Sequence, residues 1–179
     1  EVQPILVALK ARGLQIAVHA IGDGAVRSVL DGYERARSVN GQRDSRHRIE
    51  HIEVTSNLDD AFEFFGGTVN AKYLIAMHCD DDYIDYDQGY TGKIQYAYCK
   101  QTATASGDSN GIESDNKPNA FDLLPRTQPK VANVTLVGVG SGNEGVRIRR
   151  GSGGNYYNMV ATGFGQECLN FNDGATFTA

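Results

Sequence analysis

Two histidines offer the first chemistry in the chain. His19 lies near the end of the apolar run LQIAVHAI, residues 14 to 21, and His51 lies within the next apolar segment, Arg48 to Val54. Neutral imidazole is a standard zinc ligand, and a catalytic zinc keeps one coordination position open for water. Two imidazoles at the ends of neighbouring strands could therefore share one metal. The plainer reading of each is a strand-end residue that hydrogen-bonds its surroundings.

Local patterns supply the elements that would position them. Val2, Ile5, Leu6 and Leu9 fall on one helical face, and Gly13 stands where a left-handed cap would end that helix. The run containing His19 reads as a strand buried on both faces. Gly22-Asp23-Gly24 then turns the chain into a second helix whose apolar face is Val26, Val29, Leu30 and Tyr33 and which ends by Asn40-Gly41. Helix, strand, helix, strand is an α/β order with parallel strands, and it places His19 and His51 at strand ends, as in one unit of a (β/α)8 barrel.

The segments GLQIAVHAIGDGAVRSVLDGYERA and RDSRHRIEHIEV, within about residues 3 to 54, resemble metal-dependent amidohydrolases, in particular the branch of N-substituted formamide deformylases. The resemblance implies that His19 and His51 are ligands of a divalent metal such as zinc, which activates water against a small amide-like substrate. It also implies an H-x-H pair, a further acidic or carboxylated ligand and a catalytic aspartate. Neither His47 nor His78 completes an H-x-H. No catalytic residue and no cofactor-binding residue is assigned, and the expectation is an inactive fragment of such a hydrolase.

Beyond residue 48 the helical period gives way to a repeat. First-strand anchors are read at Ile52, Leu74, Tyr96, Leu136 and Met159, and second-strand anchors at Phe62, Ile84, Ile112, Val146 and Leu169. Phe64, Tyr86, Ser114, Ile148 and Phe171 continue the second stack. Recurrence at 22 to 23 residues, interrupted by an arc near Thr102 to Gly107 and an excursion from Asp115 to Lys130, predicts a parallel β-helix of about five coils. The expected fold is thus an α/β fragment, a partial (β/α)8 barrel unit over residues 1–47, followed by a mainly-β parallel β-helix over 48–179.

The motifs LDDAFEFFGGTVNAKYL, GKIQYA, SNGIESDN and VRIRRG resemble secreted or surface-attached β-helical repeat proteins of bacteria. That resemblance implies a β-helical structural or binding module with a glycan, cation or surface partner, and an extracytoplasmic parent. In the coil register His51 joins an outward column with Tyr73, Gln95, Thr135 and Asn158, whereas a barrel would aim it at the metal. A join within RIEHIEV, making the chain chimeric, reconciles the two resemblances.

Stacking also aligns charge. Asp59-Asp60, Asp81-Asp82 and Ser109-Asn110 share a column pair beside Glu63, Asp85 and Glu113, so the column should be well solvated or hold a cation such as calcium. Asp122, Arg126, Arg147, Arg149 and Arg150 could suggest lyase chemistry on an acidic polysaccharide, but Arg147 and Arg149 flank Ile148 and read first as exposed strand residues. Gly151-Ser152-Gly153-Gly154 reads as a turn between coils, since no helix follows to bind an anion.

Composition agrees with a chain in two parts. Residues 1–47 carry a net charge of +2 and the remainder -7, and sixteen of the 21 glycines fall after residue 47. The overall charge of -5 argues against a nucleic-acid partner. No window of 18 apolar residues predicts a transmembrane segment. Cys79, Cys99 and Cys168 are spaced for neither a zinc knuckle nor a disulfide framework and read as free thiols. The absence of an initiating methionine and the patterned C-terminus suggest truncation at both ends.

Overall fold

The computed structural model describes residues 3–12, 17–19, 23–41, 48–102, 109–140 and 144–179. It is mainly β. One parallel sheet has the order β1 (Ala17–His19), β2 (Arg48–Thr55), β4 (Asn70–Met77), β6 (Lys93–Lys100), β8 (Lys130–Val137), β10 (Asn155–Thr162). The second runs through β3 (Glu63–Phe65), β5 (Asp85–Asp87), β7 (Ile112–Ser114), β9 (Val146–Ile148) and β11 (Asn170–Phe171), also parallel. Strands of the two sheets alternate along the chain from β2 onward, so the backbone winds as a parallel β-solenoid of about five coils.

Two helices precede the coils, α1 (Gln3–Ala11) and α2 (Asp23–Asn40). Leu6 of α1 and Val29 and Tyr33 of α2 are buried in the same apolar core as Ile49 and Ile52 of β2. The Asn40 side chain ties the end of α2 back to α1 by donating to the Val7 carbonyl at 3.0 Å.

The expected partial (β/α)8 barrel is not formed. The elements read from the sequence are present, but β2 pairs with β1 along one edge and with β4 along the other. The strand that would continue a barrel instead belongs to the solenoid sheet, and β1 is its outermost described strand. Local periodicity specifies a strand; which sheet receives it is settled by what its second edge meets.

The second-strand stack follows the sequence pattern. Ile112 lies over Val146, Phe64 over Tyr86, Tyr86 over Ser114, and Ile148 between Ser114 and Phe171. The first-strand stack differs at two coils: Ile52, Leu74, Ala97, Val134 and Met159 are in register, so Ala97 replaces Tyr96 and Val134 replaces Leu136. The cause is a corner within each long strand. His51, Tyr73, Tyr96, Asn133 and Asn158 all have left-handed backbones, with φ from 50° to 61°, and are skipped by the pairing ladder. Inward residues on either side of the corner are three apart, such as Ala71 and Leu74 or Ile94 and Ala97, rather than two.

Left-handed backbone is least costly for glycine and tolerable for asparagine, but a β-branched residue there is strained. Tyr96→Val should therefore lose about 2 kcal/mol in urea unfolding, combining backbone strain with the loss of a ring stack, while Tyr96→Asn should lose less. Equal losses for the two variants would show that the corner backbone is not the source.

The long arc near Thr102 to Gly107 falls largely outside the described residues. The excursion from Asp115 to Lys130 is held by two side chains. Asn116 donates to the carbonyls of Phe121 and Leu123 and accepts from the Thr127 amide, and Arg126 donates to the Gly151 carbonyl at 2.8 Å.

Candidate functional site

The corner column carries an aromatic stack on the outside of the solenoid. The His51 ring lies on Tyr73 with centroids 4.5 Å apart, and Tyr73 lies on Tyr96 at 5.1 Å. Parallel in-register coils set like residues one strand spacing apart, so aromatic residues sharing a column stack almost face to face. The Lys72 ammonium sits 5.5 Å and 5.4 Å from the Tyr73 and Tyr96 ring centres, within cation–π range.

Beyond the corner, Glu53, Ile75 and Tyr98 are paired along the ladder and point outward. Together with the stacked rings and Asn133 they line a groove of about 600 Å³ that runs along the solenoid axis. From His51 to Asn133 it crosses four coils, or three strand spacings, about 14 Å. Tyr73 has both faces covered by rings, so it presents its edge and hydroxyl. Tyr98 and Ile75, each 40% exposed, supply open apolar surface.

Of the two histidines read as metal ligands, the His19 side chain lies outside the described part of the structure. Its backbone pairs with Glu50, the residue before His51. His51 is exposed on the outer corner and stacked on Tyr73. Among the described residues, the groups arranged to hold a metal are carboxylates: Asp59, Asp60 and Asp81, and Asp60, Glu63 and Asp85, with ligand oxygens within 4.8 Å of one another in each set.

These carboxylates belong to the stacked column anticipated at the start of the second strand. The Asp82 amide donates to Asp60 Oδ1 at 3.0 Å, the Asn110 amide to Asp82 Oδ1 at 2.6 Å, and the Glu144 amide to Asn110 Oδ1 at 3.1 Å. Side-chain oxygens thus satisfy successive backbone donors in a ladder along the axis. Glu63, Asp85, Glu113 and Arg147 form a neighbouring register column.

The column is less solvated than the sequence suggests. Asp82 is only 5% exposed. Burial first, and then neighbouring carboxylates, push the Asp60 carboxyl up to about 7, Asp82 up to about 8 and Asp85 up to about 9. Burial likewise raises Glu63 and Glu113.

At the third and fourth coils the charge is balanced. Arg149 pairs with Glu113 and, at 2.8 Å, with Asp115; Arg150 reaches Asp115 at 2.5 Å, and Arg147 lies 3.7 Å from Glu113. These arginines are partly buried ion-pair partners, not the freely exposed residues their alternation suggests. Asp122 pairs with Arg126 at the excursion.

The sequence missed Lys72, Glu53, Tyr98 and Asn133 as neighbours of His51. Their outward positions follow from the repeat only after the corner is placed, and no glycine marks it.

Among the described residues, no helix is long and apolar enough to cross a membrane. A stretch of 41 residues, 23% of this chain, is 56% identical to Protein LONG AFTER FAR-RED 3 of Arabidopsis thaliana, of which it spans 7%. No solved structure matches the chain. The family model described as a pectate-lyase like beta helix domain matches residues 44–178, covering all five corner residues, from β2 through β11. With three quarters of its length matched and its coils wound in parallel register, the protein belongs to the family of pectate-lyase-like β-helix domains.

Proposed function

We propose that the protein is a β-helical binding module whose corner groove receives a glycan chain. The observation that carries this reading is the groove lined by His51, Tyr73, Tyr96, Tyr98, Glu53 and Asn133. A sugar ring presents an apolar C–H face and a rim of hydroxyls, so its binding site needs exposed aromatic surface beside hydrogen-bonding groups. Tyr98 and Ile75 offer the first; the Glu53 carboxylate, the Asn133 amide and the tyrosine hydroxyls offer the second. The coils repeat these groups along a line, which suits a polymer of repeating units better than a compact ligand.

A catalytic reading would require His19 and His51 to converge on a metal. The stacking of His51 on Tyr73 instead supports its place in the groove wall. A panel of neutral and acidic polysaccharides, tested by microarray and then by calorimetry, addresses the proposal. Tyr98→Ala is expected to weaken the best binder about tenfold, equivalent to about 1.4 kcal/mol, without changing the fold. Absence of binding across the panel, or undiminished binding by Tyr98→Ala, would count against the glycan reading.

A further inference from the structure

We infer that the corner groove selects a polymer of amino sugars, with the Glu53 carboxylate receiving one of its ammonium groups. The inference rests on the glycan reading of the groove and adds to it the charge of the ligand. Among the described residues that line the groove, Glu53 is the one acid, and there is no lysine or arginine. A carboxylated sugar would meet a like charge there and find no basic partner, whereas a protonated amine would find its counter-ion.

The other acids with a fixed place on the coils are engaged. Glu113 and Asp115 pair with arginines, and Asp60, Asp82 and Asp85 crowd one another in the column. Glu53 is exposed, makes no ion pair with any described residue, and accepts a long 3.4 Å hydrogen bond from the Thr55 hydroxyl. The aromatic wall beside it already holds one cation, because the Lys72 ammonium lies 5.5 Å and 5.4 Å from the Tyr73 and Tyr96 ring centres. No ring of a described residue stacks on Tyr98, which is 40% exposed and keeps its π face for a ligand. The C–H face of a sugar that bears an ammonium is polarised toward positive, which strengthens its contact with that face.

Position along the axis suits a chain. Glu53, Ile75 and Tyr98 are register partners on successive coils, so Glu53 lies two strand spacings, about 10 Å, from Tyr98. A sugar resting on Tyr98, within a polymer that follows the axis, carries a neighbouring unit over Ile75 and its amine to Glu53. At the other end of the groove, Asn158 donates to Asn133 Oδ1 at 2.6 Å, which leaves the N–H groups of the Asn133 amide as donors for sugar hydroxyls.

The test is calorimetric titration of the 179-residue chain with oligomers of equal length built from glucosamine, N-acetylglucosamine, glucose or galacturonate, at about pH 6 and low salt. The glucosamine oligomer should bind at least about tenfold more tightly than its N-acetylated form, in which a neutral amide replaces each ammonium. Glu53→Gln should bring the two within about twofold of each other, whereas Glu167→Gln, at an exposed acid outside the groove, should keep the preference. That pair separates a contact from the general attraction of an acidic protein for a polycation. Tyr98→Ala should weaken both oligomers alike. Preference for an uncharged or acidic oligomer, or a glucosamine preference that survives Glu53→Gln, would overturn the inference; the groove would remain a glycan site if Tyr98→Ala still weakened binding. Binding of none of the oligomers would overturn both readings.

Discussion

The melting temperature of this acidic protein is expected to fall as pH rises from 5 to 9, by on the order of 5 °C. The groups responsible are Asp60, Asp82 and Asp85, whose carboxyls are raised to about 7, 8 and 9 by burial and by one another. An unfolded aspartate titrates near 3.9, so between that value and the folded one the native state holds protons that the unfolded state has released. The stability they contribute is fully present below about pH 4 and is lost as pH passes through 7, 8 and 9. Because Asp60 is only partly buried, water screens its share, and the more buried Asp82 and Asp85 carry most of the loss.

Differential scanning calorimetry at successive pH values measures this, with Asp85→Asn as the matched variant. The amide removes one charge from the column, so the variant should be more stable than the parent at pH 9 and show a shallower decline. A melting temperature that is flat or rises over this range would show that the column is better solvated than its burial indicates. The same experiment addresses a cation: calcium neutralises ionised carboxylates and should raise the melting temperature of the parent at pH 8 more than that of Asp85→Asn. Equal shifts would place any calcium elsewhere.

The largest effect of a single substitution is expected at Tyr86. Its side chain is fully buried, its ring packs against Tyr90 at a centroid distance of 5.7 Å, and its hydroxyl pairs with that of Tyr156 at 2.8 Å. It stands in the stack between Phe64 and Ser114, so it contacts coils on both sides. Tyr86→Ala leaves a cavity that neighbouring coils, fixed by their ladders, can close only in part, and should cost about 3–5 kcal/mol. Tyr86→Phe keeps the packing and forfeits one hydroxyl pair, for about 1 kcal/mol. Urea unfolding of both variants separates the terms. Similar losses for Phe and Ala would assign the energy to the hydrogen bond rather than to packing.

The recurrence of short apolar strands was enough to identify the β-helix and to align its second-strand stack. Phe62 and Phe64, Ile84 and Tyr86, and Val146 and Ile148 alternate strictly, because each lies in a straight three-residue strand or just before it, where the side-chain period is two. The column of Asp60, Asp82 and Asn110 was legible for the same reason, since parallel coils carry a local turn pattern along the axis unchanged. Two helices and the strand between them could likewise be read from residues close in sequence.

The tertiary structure decided what depends on distant partners. The left-handed corner lengthens the inward spacing to three, and its His, Tyr and Asn residues announce no special backbone, so the first-strand register and the groove beside it were hidden. Whether β2 belonged to a barrel or a solenoid depended on its second edge, and β4, some 20 residues later, took it. Exposure of the charged column was also nonlocal: Glu113 meets Arg149 because β7 pairs with β9 across the intervening excursion. Side-chain period is a property of a few adjacent bonds, but burial and strand partnership are properties of surfaces that touch only after the chain has closed.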